Sequence, residues 1–184
     1  MARLSHVVGA IFGFMMISLS LLITTETVVR KLFSISLGGV DELSGYAIAI
    51  GAPLAFSVAS IELSNIRINL FYGQLPRSAR AILNLISVLG IAVLALFFLV
   101  FSYRTFSETI GYRALAQTPW ATPLVYPQSF WFAAIAYFAL TSAWVARRAV
   151  ALLLKGSLDT LADAFGPERV EEELETELED LAKR

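Results

Sequence analysis

The chain has 184 residues, 57% of them hydrophobic and 16% charged, with a formal net charge of −1. A soluble domain carries roughly 45–50% apolar and about 25% charged residues, so an ordinary soluble domain is excluded, and no basic surface is left over for nucleic acid. Cysteine is absent and His6 is the single histidine, which removes disulfides, thiolate chemistry, iron–sulfur clusters, cysteine zinc sites and a haem held between two histidines.

Charged residues divide the chain into uncharged runs: 22 residues between Arg3 and Glu26, 19 between Glu42 and Glu62, 23 between Arg80 and Arg104, and 33 between Arg113 and Arg147. A helix rising 1.5 Å per residue needs roughly 20 apolar residues to cross a hydrocarbon core about 30 Å thick. Each run therefore holds one crossing, and the expected spans are 7–25, 43–61, 82–103 and 127–146. The fourth run is too long for one helix. Its first part, Leu115–Tyr126, contains Thr118-Pro119-Trp120 and Pro123 and reads as a loop, with Pro127 in the first turn of the helix that follows. The first span has a thin basic start and no Ala-x-Ala-like site before Glu26, so it reads as a retained helix rather than a cleaved signal.

Counting Lys and Arg in the short loops sets the expected orientation. With the N-terminus inside, one side holds Arg3, Arg67, Arg77, Arg80, Arg147, Arg148 and Lys155, and the other holds Arg30, Lys31, Arg104 and Arg113. The bias places both termini in the cytoplasm. Phe97, Phe98, Phe101, Tyr103, Tyr126, Phe130 and Trp131 gather toward the outer ends of spans three and four, as an interfacial aromatic belt would.

Within lipid, helices associate through close backbone approach and polar contacts. In the second span Ala47, Gly51, Ala55 and Ala59 recur every four residues and form one small-residue stripe, a packing face for a helix of this chain or of another. Gly9-x-x-x-Gly13 is a shorter version of the pattern. Glu26, Glu42, Glu62 and Glu108 flank the crossings beside Arg30, Lys31, Arg67 and Arg104, where charges ordinarily anchor helix ends among headgroups. No acidic residue falls at mid-depth in any span, and no inverted repeat with broken helices is visible, so this chain alone is poorly equipped to move a solute.

Beyond Lys155 the character changes. Ser157 is placed to cap a short helix, Ser157–Phe165, that Gly166-Pro167 would end. The last segment is strongly acidic, with Val170, Leu174, Leu178 and Leu181 forming an apolar stripe. Like-charge repulsion weakens such a helix, so it reads as a solvated tail, with docking to a cytoplasmic partner as the other reading. The organisation is thus a four-helix transmembrane domain over 1–155 and an acidic cytoplasmic tail over 156–184. The fold class is an all-α integral membrane protein. No phosphate-binding loop, HExxH, CxxC or GxSxG occurs, and no histidine stands where a triad would need one, so an enzyme is not expected and no catalytic, cofactor or metal residue is assigned.

Several short matches, in order, carry a family resemblance over about residues 5–148. Arg30-Lys31-Leu32-Phe33 closes the first span, and Asp41-Glu42-Leu43 opens the second as an acidic pair. Asn65-Ile66-Arg67-Ile68-Asn69-Leu70, followed by Leu75-Pro76 and Arg80, forms a basic loop after it. Thr118-Pro119-Trp120 with Pro127 approaches the last span. In these features the chain resembles the small membrane subunit (DctQ type) of TRAP transporters, the tripartite ATP-independent periplasmic uptake systems. The sequence departs from the family pattern at Gly39-Val40, where Trp is frequent, and at Asn65 and Asn69, where His and Asp are common. The resemblance implies an inner-membrane scaffold for a large membrane subunit that carries the solute and sodium sites. It also implies a periplasmic binding protein that delivers an organic acid. No cofactor is expected in this chain. On that basis Arg30, Glu42, Ala47, Gly51, Ala55, Ala59 and Arg67 are the candidate scaffold or interface residues, and the loop Arg104–Tyr126 is a candidate contact for the binding protein. The alternative is an independent four-helix membrane protein that self-associates or anchors a cytoplasmic partner.

Overall fold

The computed structural model describes residues 2–63, 72, 75–118 and 120–166. Four helices in it are long and apolar enough to cross a membrane. They are α1 (Ala2–Phe33), α2 (Val40–Glu62), α3 (Arg77–Tyr112) and α4 (Val125–Leu154), and a short α5 (Leu158–Ala164) follows. All four long helices extend beyond the expected spans at both ends. At 36 residues, α3 is about 54 Å long, well beyond a hydrocarbon core. Its charged turns, past Arg104 and Glu108, need only their own backbone hydrogen bonds and water.

The helix ends have local causes. Ser34 turns left-handed (φ 57°) and donates its N–H to the Arg30 carbonyl at 3.0 Å. Leu63 does the same at the end of α2 (φ 56°), reaching the Ala59 carbonyl. Gly156 (φ 70°) ends α4, with its N–H on the Leu153 carbonyl at 2.9 Å, an ending that glycine takes without the Cβ penalty. Pro53 sits inside α2; such prolines are tolerated in membrane helices where side-chain hydroxyls reorganise the local bonding. Here the Ser57 hydroxyl donates to the Pro53 carbonyl at 2.8 Å. Ser157 precedes α5 as expected, but its hydroxyl makes no capping bond.

Among the described residues the main helix contacts run α1 to α2, α2 to α4 and α4 to α3, an open row rather than a closed bundle. The most buried of the four is α4, with Ala134, Ile135, Phe138, Ala139, Val145, Ala146 and Ala149 in its core faces; α1 is the least buried. Toward α4, α3 presents Ala81, Val88, Ala95, Ser102 and Thr109, each buried and each seven residues after the last. A seven-residue repeat keeps one seam facing the partner along the helix. Ala95, Phe138 and Ala139 form one cluster, and Phe56 of α2 meets the Phe138 ring at 5.9 Å.

After Gly156 the chain folds back, and α5 packs on α3 and α4. Leu161, Ala162 and Phe165 join Ala81, Val88, Val145 and Ala149 in the larger core cluster. The segment after Lys155 therefore begins with a packed helix; the acidic stretch expected beyond it lies outside the described residues.

Candidate functional site

The chain has two ends. One carries the loop between α1 and α2 and the strap between α3 and α4 (residues 113–124); the other carries the start of α1, the end of α2, Tyr72, the start of α3 and α5.

At the first end two buried carboxylates organise the loops. Glu26 is 3% exposed. Arg30, one turn on, holds it at 2.6 Å, the Ser36 hydroxyl donates to it at 2.8 Å, and the Leu37 N–H donates to its other oxygen at 2.8 Å. Arg30 therefore works inside the chain, neutralising a carboxylate that ties the α1–α2 loop to its own helix. Glu42 is 7% exposed and stands in the first turn of α2, where the dipole favours an acid. Tyr46 donates to it at 2.7 Å, and Thr118 of the strap donates to its second oxygen, with Thr122 as a further donor.

The strap is held by its own backbone as well. Ala116 N–H donates to Thr122 O at 2.9 Å and Leu124 N–H to Ala114 O at 3.0 Å, and Leu115 pairs with Pro123. Trp120 lies over Gly39, a left-handed residue (φ 72°) whose missing side chain leaves room for the indole. Beside the strap, Ile110, Leu115, Pro123 and Val125 line an apolar cleft, with the exposed Arg113 also in its wall.

Along α2, Gly51 is buried against α1: a Cβ there would meet Met15 Cε at 2.9 Å, Met16 Cε at 3.0 Å and Phe12 Cε2 at 3.0 Å. The helix resting on the stripe at Gly51 is thus α1 of the same chain, while Ala47, Ala55 and Ala59 are half-buried. Ser60, nine residues on and about half a turn away, is buried on the opposite side of α2. Gly9 and Gly13 find no neighbour: a Cβ at either meets nothing within 4 Å, so this motif makes no close approach among the described residues.

At the second end Ser5 donates to Glu62 at 3.3 Å. Asn84, 3% exposed on α3, donates to the Tyr72 hydroxyl at 2.8 Å and to the Ala162 carbonyl of α5 at 3.3 Å. Arg80 donates to the Leu75 carbonyl at 2.8 Å and lies 5.5 Å from the Tyr72 ring centre. Arg67, with Asn65 and Asn69, lies outside the described residues. Sequence reasoning gave Glu26 only an anchoring role, placed Thr118 in a loop motif without its partner Glu42, and passed over Asn84 and the seven-residue seam of α3. The seam was visible as small residues at 81, 88, 95, 102 and 109.

Chemically, these groups hold helices and loops in place. Comparison with curated proteins returned no match. Comparison with protein families matched residues 19–152, well over half of the chain, to the family described as tripartite ATP-independent periplasmic transporters, DctQ component. With four candidate spans and this match, the chain belongs to the DctQ component family, the small permease component of the TRAP transporters.

Proposed function

We propose that this chain is the static scaffold of a sodium-coupled TRAP transporter, seated in the inner membrane with both termini in the cytoplasm. It joins the large membrane subunit, which binds and moves an organic acid received from a periplasmic binding protein. The observation that supports this reading most is the open helix row. An isolated four-helix protein would close its bundle to bury packing surface, whereas a row whose outer helix α1 is its least buried leaves a flank for a larger neighbour. The loop end supports it further. A strap fastened by Glu42 and Thr118 is a firm outer surface on which a binding protein can dock.

The test is a pull-down of the tagged chain from native membranes in mild detergent, with the complex weighed. A large multi-span permease at a one-to-one ratio is the expected result. Recovery of this chain only with copies of itself overturns the reading.

A further inference from the structure

The outward face of α4 carries a charge in an apolar column. Tyr126, Ala133, Leu140, Arg147 and Leu154 are all exposed and spaced by seven residues, so they lie nearly above one another. Leu140 is 71% exposed and Leu154 is 82% exposed, so Arg147 has open apolar surface one seven-residue step to either side. From Tyr126 to Arg147 the helix rises about 32 Å, close to the thickness of the hydrocarbon core. With Tyr126 at one membrane boundary, Arg147 therefore stands at the other, at headgroup level. Next to it Arg148 is laid over the Trp144 ring, its guanidinium carbon 4.9 Å from the ring centre. Stacking of this kind holds a guanidinium in place beside a membrane surface. No carboxylate among the described residues lies within ion-pairing distance of either arginine.

We propose that Arg147 and Arg148 form a seat for the headgroup of an anionic phospholipid, with its acyl chains along Leu140 and Ala133, the part of the column on the membrane side of Arg147. The argument is one of complementarity. The guanidiniums of two successive residues each present forked donors suited to phosphate oxygens, and both residues sit at the depth where phosphates lie. A water-soluble anion would answer the charge alone; a phospholipid answers both the charge and the exposed apolar column. Arg148 is positioned by Trp144, and Arg147 by its place on α4.

The experiment uses the full chain, with whatever subunits co-purify, in vesicles of phosphatidylcholine containing spin-labelled phosphatidylglycerol or spin-labelled phosphatidylcholine. Electron spin resonance reads the immobilised lipid fraction. The wild type is expected to retain phosphatidylglycerol over phosphatidylcholine. Arg147→Gln and Arg148→Gln should each lower that preference by about fivefold, the effect of losing one surface cation. Replacing both arginines with Lys should lower it less than the double Gln change does, because the charge is kept while the forked donors are lost. Equal retention of both lipids by the wild type overturns the proposal, as does a preference that survives Arg147→Gln and Arg148→Gln together. If the double Gln variant fails to fold, the two single variants decide by the same readout. Loss of a co-purifying subunit with unchanged lipid preference assigns the arginines to a protein partner and likewise overturns it.

Discussion

Glu42 and Thr118 are 76 positions apart, yet the threonine hydroxyl donates to the carboxylate where α2 begins, and this contact binds the α3–α4 strap to a helix it does not follow in sequence. Tyr46 donates to the other side of the same group at 2.7 Å. A carboxylate with donors from its own helix and from the strap sets the height of one against the other. Removing the carboxylate should free the strap, whereas removing one donor should loosen it. Glu42→Gln is expected to lower the unfolding temperature of the chain in detergent more than Thr118→Val does. The double variant should be little worse than Glu42→Gln, because residues in contact do not act additively. Protease sensitivity within residues 113–124 should rise in the same order. Strictly additive effects would show that the contact carries no coupling.

The two glycines before α2 make a matched comparison. Gly38 (φ 66°) and Gly39 (φ 72°) both adopt a left-handed backbone, which costs an L-residue about 1–2 kcal/mol. A Cβ on Gly38 meets nothing within 4 Å, while one on Gly39 falls within the Trp120 indole. Gly38→Ala should therefore show the backbone cost alone, and Gly39→Ala that cost plus displacement of Trp120. The displacement is readable as a shift in tryptophan fluorescence. Adding Trp120→Ala to Gly39→Ala should bring its stability loss down to that of Gly38→Ala against a Trp120→Ala background. Equal losses for the two glycine variants would mean that the indole does not rest there.

Close approach of α1 to α2 depends on Gly51. Its neighbours at about 3 Å are the ends of Met15, Met16 and Phe12, and the methionine ends can move, so Gly51→Ala should cost little. A leucine cannot be absorbed that way, and Gly51→Leu should destabilise by about 1–3 kcal/mol, the usual range for overpacking. Gly13→Leu, at a position open within the chain, should leave its unfolding in detergent unchanged. The reverse order would place the α1 contact on the Gly9–Gly13 face.

Much of this framework is legible in the residues themselves. Uncharged runs locate four crossings because lipid excludes charge over a fixed thickness, but they measure the apolar part of each helix rather than its length. That is why α3 continues past Arg104 and Glu108 to Tyr112. The stripe through Gly51 was readable because a repeat of small residues has few uses other than close packing. The partners of Glu26 were not: the Leu37 N–H and the Ser36 hydroxyl reach it only through the fold of the loop. Thr118 and Glu42, likewise, are brought together by the antiparallel order of α2, α3 and α4, which local pattern does not encode. Ser157 and Gly166 mark a short helix, but nothing local tells whether it packs or floats.

Whether α5 belongs to the membrane domain in energy as well as in position can be tested at Phe165 and Asn84. Phe165 is 2% exposed within the cluster that includes Ala81, Val145 and Ala149. Truncating a buried phenylalanine costs about 3–5 kcal/mol where the whole fold must bear it. Here the loss is capped by the free energy of releasing α5 alone, because a terminal helix can open without the rest. Phe165→Ala should therefore speed amide hydrogen exchange in residues 158–164 while leaving exchange in α4 before Val145 unchanged. Asn84→Leu removes the donor that serves both Tyr72 and the Ala162 carbonyl, and should produce the same local pattern. If both variants leave α5 exchange untouched, α5 is held by something other than this cluster. If exchange rises throughout α3 and α4 as well, α5 is a cooperative part of the bundle rather than a latch on its end.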